Sequence, residues 1–219
     1  MNCPQSRFRK AMHQGFTLIE LMLVLTIFII LMMITVSATK RSWEAQEIKA
    51  SALKLAHDLS IASQTAVRLN TTVEVRFYLF YDMGIASTQP QFRGYQLLRR
   101  DPITGPASAI GLKSVAVPLF ELQRFEGNTI MSSRTKYSSL VGGRVIPWQR
   151  GSDPDIGVND YGYFAIEFRP DGTTSLEPPG RTPWTISLGP LRWVDNPLET
   201  PKEIQCLGID WATGAVRIF

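Results

Sequence analysis

The sequence predicts an α+β chain in which one long N-terminal helix packs on an antiparallel β-sheet. Three observations carry that expectation. No glycine or proline occurs between Phe16 and Met83. Apolar residues recur at Ala45, Ile48, Ala52, Leu55, Leu59, Ala62 and Ala66, the alternating three- and four-residue steps of one helix face. From Thr71 onward the pattern changes to strand-like alternation broken by glycine, proline and aspartate turns.

Residues 1–15 are a short basic segment containing Arg7, Arg9 and Lys10 and no acid. Its loss would take the formal charge from +4 to +1, so the high whole-chain pI overstates how basic the remainder is. A nearly neutral body has little general attraction for nucleic acid. Of the two cysteines, Cys3 lies in this segment. Without it the chain carries the single thiol Cys206, placed in an apolar strand and read as a small core residue.

Residues 16–39 are apolar, and no charged residue occurs from Leu21 to Thr39. About 20 helical residues at roughly 1.5 Å each match the hydrocarbon layer of a bilayer. This segment is therefore the expected transmembrane half of the helix, with the basic flank holding the N-terminus in the cytoplasm. A cleaved secretory signal would need a small-residue site after a shorter apolar run, and Ser37-Ala38-Thr39 matches that weakly. Neither a signal peptide nor a plain anchor explains Glu20. A lone carboxylate near the end of an apolar span costs about 1–3 kcal/mol and marks a functional position by default.

Residues 40–70 are the expected amphipathic half. Lys49, Lys54, Asp58 and Arg68 lie off its apolar stripe, His57 is a solvated helix residue, and Asn70 stands near the end. The body, 71–219, follows. Thr72–Tyr81 alternates well enough for a strand, although Tyr78 and Phe80 on its polar face imply that this face is partly covered. Met83–Gly94 reads as a loop, Tyr95–Arg100 as a strand, Asp101–Pro106 as a loop and Ser114–Leu119 as a strand. Gly142–Tyr161, rich in glycine, proline and aspartate, reads as a long surface loop. Strands are expected at Gly162–Phe168, Trp184–Leu188, Glu203–Asp210 and Ala215–Phe219, with turns at Arg169-Pro170-Asp171-Gly172 and Ala212-Thr213-Gly214.

Gly15-Phe16-Thr17-Leu18-Ile19-Glu20 resembles, without a mismatch, the cleavage and methylation motif of type IV prepilins. The resemblance implies a pilin-like fold, cleavage between Gly15 and Phe16 by a prepilin peptidase, and methylation of the new amine of Phe16. It implies that Glu20 then meets the N-terminal amine of a neighbouring subunit during assembly. It also implies a single-pass bacterial inner-membrane protein with a periplasmic head, whose partners are that peptidase, an inner-membrane assembly platform and other pilin-like subunits. Toward the C-terminus, Phe168–Gly172, the strand at Trp184–Leu188 and Ile209–Arg217 look like the end of GspH/FimT-type pseudopilins and minor pilins. The Verru_Chthon cassette prepilin-like group is a second possible home. The middle of the chain, about 82–160, matches neither and reads as an insertion.

No enzyme is expected. After loss of the leader His57 is the one histidine, and there is no H-E-x-x-H, C-x-x-C or glycine-rich phosphate loop. The candidate metal ligands are Asp153, Asp155 and Asp160. Several carboxylates in one loop suit Ca²⁺, and some major pseudopilins hold calcium in a loop. The spacing fits no EF-hand, however, and Asp-Pro-Asp is ordinary turn chemistry, so no cofactor is assigned. Some FimT-like minor pilins bind DNA through basic C-terminal residues. Here the tail offers Arg217 alone, and Arg134, Lys136, Arg144 and Arg150 read as a solvated surface. The expected function is a non-catalytic filament subunit of a type II secretion or type IV pilus-like system. The alternatives are a DNA-uptake minor pilin and a membrane-anchored periplasmic binding protein that never polymerises.

Overall fold

The computed structural model describes residues 17–81, 89–103, 114–142, 149–153, 158–180, 182–195 and 203–219. Within them, side chains of 34–41, 142, 149–153, 158–160, 194 and 195 are outside the description. The chain divides into two compact units, one ending at Ser42 and one starting at Trp43.

Helix α1 runs from Leu18 to Leu69, 52 residues, and contributes to both units. Its end is set by Asn70, the one non-glycine residue with positive φ (48°) among those described. The Thr71 amide donates to the Ala66 carbonyl (3.1 Å) and the Asn70 amide to the Val67 carbonyl (3.3 Å). This pair of bonds is a Schellman closure, which asparagine tolerates because its side chain eases the left-handed conformation.

Beyond Trp43 the helix keeps the expected stripe. Ile48, Ala52, Leu55, Leu59, Ala62 and Ala66 are buried, whereas Ala45 is half-buried, so the dry contact begins at Ile48. The small residues on this stripe let the helix backbone lie close to the sheet.

The sheet contains β1 (Val73–Phe80), β2 (Gln91–Pro102), β3 (Ser114–Pro118), β4 (Gln123–Arg124), β5 (Thr129–Met131), β6 (Gln149–Asp153), β7 (Val158–Phe168), β8 (Trp184–Pro190), β9 (Gln205–Ile209) and β10 (Val216–Ile218). The order is β10-β9-β8-β5-β2-β1-β7-β6, with β3 and β4 also on β2, and every pairing is antiparallel. Two single-turn helices, α2 (Ser139–Gly142) and α3 (Arg192–Asp195), lie between strands. The architecture is α+β, as the sequence predicts.

Val73, Val75 and Phe77 of β1 join Phe92, Tyr95 and Leu97 of β2, Phe164 and Ile166 of β7 and the helix stripe in one buried cluster. Phe77 stacks on Phe164 at 4.9 Å. The opposite face of β1 is also covered: Tyr78 and Phe80 pack with Tyr161, Tyr163 and Leu122. That explains why aromatic residues interrupt the polar positions of this strand.

Several connections differ from the sequence reading. Gln91–Gly94, expected in a loop, opens β2. The expected loop Gly142–Tyr161 contains β6 and the start of β7, which pair from Gln149↔Tyr163 to Asp153↔Val158. β6 lies at the edge of the sheet order and is polar in sequence (Gln149-Arg150-Gly151-Ser152-Asp153), so no apolar alternation announces it. β4, β5, α2 and α3 are too short for any periodicity. From the stretch 82–160, β2 and β5 stand in the middle of the sheet order. The turn at Arg169–Gly172 forms as expected, with the Gly172 amide donating to the Arg169 carbonyl (3.0 Å) at φ 84°.

A row of polar residues lies beside the apolar helix stripe. Arg192 Nη1 donates to Glu44 Oε2 (2.7 Å), and the Asn128 amide donates to Glu47 Oε2 (3.4 Å). The Glu126 amide donates to Ser51 Oγ (2.9 Å), Lys54 Nζ to Gln123 Oε1 (2.7 Å) and the buried Tyr95 hydroxyl to Asp58 Oδ2 (2.6 Å). Positions 44, 47, 51, 54 and 58 repeat the three- and four-residue steps one residue earlier on average than the apolar set. Glu47, Ser51 and Lys54 meet the Gln123–Asn128 segment, Asp58 meets β2 and Glu44 meets α3, so together they fix the axial register of the helix on the body.

Candidate functional site

Gly15 and Phe16, the expected cleavage pair, lie outside the described residues. Immediately after them, Thr17 starts α1. Its carbonyl accepts the first helical bond, from the Leu21 amide at 3.2 Å. Its hydroxyl accepts a long bond from the Glu20 amide (3.4 Å). In return Glu20 Oε2 accepts from the Thr17 amide (3.0 Å) and the Thr17 hydroxyl (2.8 Å). This is a reciprocal capping box, T-x-x-E, satisfying donors that a helix start leaves open. Glu20 therefore has a use within its own chain, which the sequence reading missed although the spacing Thr17…Glu20 displayed it.

The residues that follow are exposed all round. Leu18 is 80% and Ile19 75% accessible, and Leu21–Leu25 and Ile27–Met33 each keep half or more of their surface. Within its own unit this apolar surface has no cover, so lipid or other protein is the environment in which it would be stable. Among the described residues no helix is long and apolar enough to cross a membrane. The segment expected to do so, 16–39, includes residue 16 and side chains after Met33 that are outside the description.

The other candidates are dispersed. Asp155 lies outside the described residues. Asp153 and Asp160 are placed by backbone alone, in β6 and β7 of one hairpin. Among the described residues no three His, Cys, Asp or Glu side chains are grouped as a metal site would require. His57 is exposed on α1, as expected. Cys206 is a free thiol opposite Ser187 on β9 and is half-buried, not a core residue, because β9 is followed in the sheet only by the three-residue β10.

Of the four cations expected on a solvated surface, the side chains of Arg134 and Lys136 are described. Arg134 Nη2 donates to the Trp193 carbonyl (2.7 Å) and its guanidinium lies 6.0 Å from the Trp193 ring, while Lys136 sits 5.3 Å from the Tyr137 ring. Arg144 lies outside the described residues, and Arg150 is placed by backbone alone, in β6.

One buried charged group was not anticipated. Glu74, on the outer face of β1, is 1% exposed, accepts from Arg76 Nε at 2.7 Å and forms an ion pair with Arg100, whose Nε lies 2.6 Å away. Arg100 also lies 3.5 Å from Glu167. Burial is compensated by two cations, as a buried carboxylate requires.

Residues 10–36 match the family described as the prokaryotic N-terminal methylation motif. No curated protein and no solved structure matches the chain. The match spans the expected cleavage pair, the capping box and the exposed apolar turns, and it supports a type IV prepilin-like N-terminus.

Proposed function

We propose that the chain is a prepilin-like precursor whose mature form is a non-catalytic subunit of a type IV pilus-like or type II secretion filament. The observation that carries this reading is the methylation motif at residues 10–36, which runs into the first turns of a helix whose apolar residues are exposed on every side. In this reading a prepilin peptidase cuts between Gly15 and Phe16 and methylates the Phe16 amine. The apolar turns anchor the precursor in the inner membrane and later lie in the filament. Glu20 accepts the amine of a neighbouring subunit, and the β-rich body faces the periplasm. The resemblance of Phe168–Gly172, Trp184–Leu188 and Ile209–Arg217 to the end of GspH/FimT-type proteins supports reading the chain as a minor pseudopilin or minor pilin.

The processing step is tested by the intact mass of the protein co-expressed with a prepilin peptidase. The mature chain should begin at Phe16 and carry one extra methyl group. An uncut chain, or one cut elsewhere, would sink the reading. The assembly role is tested by two substitutions that separate charge from capping. Glutamine retains the carbonyl acceptor of a capping box, whereas valine removes it. Glu20→Gln should be processed normally, keep the helix start and yet enter filaments poorly. Glu20→Val should show the same assembly defect plus loss of the capped first turn. Normal incorporation of Glu20→Gln would mean that the carboxylate serves the helix alone.

A further inference from the structure

We infer that the helix turn Trp43–Glu47 is held to the body by a releasable ionic latch, centred on Arg192, that opens as ionic strength rises. The dry helix contact begins at Ile48, with Ala45 half-buried and Trp43 65% exposed. The turn before Ile48 is thus fastened by polar contacts. Arg192 bridges two carboxylates from distant parts of the chain: Glu44 on α1 (2.7 Å) and Glu203 before β9 (3.0 Å). All three side chains are partly exposed, at 51%, 25% and 26%, so salt screens them.

A second contact, one turn on, is built into the backbone. Gly127 has φ 49°, and a Cβ there would lie 2.0 Å from Glu47 Oε2. The left-handed conformation favours glycine, and a Cβ would push the Glu47 carboxylate out of its seat. The next polar contacts, Ser51 to Glu126 and Lys54 to Gln123, flank buried residues of the stripe and stay shut with it. The latch is thus confined to one turn, and it stands independently of the filament reading.

The test is a distance measurement between nitroxides at Gln46 and Thr135, both exposed, in the full chain with Cys3 and Cys206 replaced by serine. A pair between Gln64 and Thr135 serves as control. At low salt the first pair should give one narrow distance. Arg192→Ala, or about 0.5 M salt with the native residue, should raise the population at other distances about two- to fivefold, the range of one to two exposed ion pairs. The control should not move. The charge-exchanged double variant Glu44→Arg with Arg192→Glu should restore much of the narrow distribution, and Gly127→Ala should broaden it. An unchanged first pair under both Arg192→Ala and salt overturns the latch. So does equal broadening of the control, which would indicate general loosening.

Discussion

Replacing Glu74 by glutamine removes the one carboxylate that two arginines share on the outer sheet face. Glu74 is 1% exposed, and Arg76 and Arg100 retain 16% and 31% of their side-chain surface. Breaking a fully buried pair costs about 3–5 kcal/mol, mostly from stranding the remaining charge. Here both arginines reach some solvent, Arg100 keeps Glu167 at 3.5 Å, and Arg76 keeps the Tyr163 ring at 4.6 Å. A loss of about 2–3 kcal/mol is the consistent estimate after that discount. For a body of this size it corresponds to a fall in Tm of about 5–10 °C. Thermal unfolding followed by circular dichroism reads this directly. Arg99→Ala is the comparison, because Arg99 and Asp101 are paired at 2.6 Å while each keeps more than a third of its surface. That variant should lose under about 1 kcal/mol. If Glu74→Gln costs no more than Arg99→Ala, then burial is not what makes the Glu74 group matter, and the reasoning fails.

Two further outcomes follow from the same geometry. Leu59→Ala, at a fully buried point of the helix stripe, should cost about 3–4 kcal/mol in chemical denaturation, against under about 0.5 kcal/mol for Gln64→Ala on the exposed face. The Asp210 carboxylate accepts the amides of Thr213 (3.0 Å) and Ala212 (2.9 Å), which hold it below its ordinary value of 3.8. A carboxyl depressed in the folded state contributes stability that is complete above its unfolded value and is lost as pH falls through the folded one. Asp210→Asn should therefore flatten the fall of Tm below pH about 4 and lower Tm at pH 7, where the carboxylate's contribution is complete, and an unaltered acid limb would contradict the assignment.

The parts of the fold legible in the sequence are those in which one periodicity persists. The helix stripe from Ile48 to Ala66 and the alternation of Val73, Val75 and Phe77 were readable because burial on one face repeats over several turns or pleats. Asn70 was readable as a stop because few other residues accept positive φ. What escaped has no period to show. β4 and β5 are two and three residues long and owe their strand geometry to pairing with β2 and, for β5, chiefly with β8. β6 is an edge strand made of polar residues. The row Glu44, Glu47, Ser51, Lys54 and Asp58 does have helical spacing, yet charged residues on a helix suggest solvent. Only the positions of the Gln123–Asn128 segment, Tyr95 and Arg192 turn them into contacts.

The candidate site shows the same division at the scale of a single side chain. In sequence Glu20 stands out because nothing near it is charged, and an isolated carboxylate in an apolar helix invites a partner from another chain. In the folded helix start it already has partners, the amide and hydroxyl of Thr17. In the proposed filament role the capped state is one that an incoming amine outcompetes. A neutral hydrogen bond contributes about 0.5–1.5 kcal/mol net, and one to a charged group about 1.5–3 kcal/mol. A full ion pair in a water-poor filament can exceed that, because there the alternative is a stranded charge. A capping carboxylate is thus held, oriented, at the helix end from which a neighbour's amine would approach, without losing the ability to exchange partners. Glutamine at this position retains the hold and forfeits the exchange, which is why it separates the two roles where valine does not.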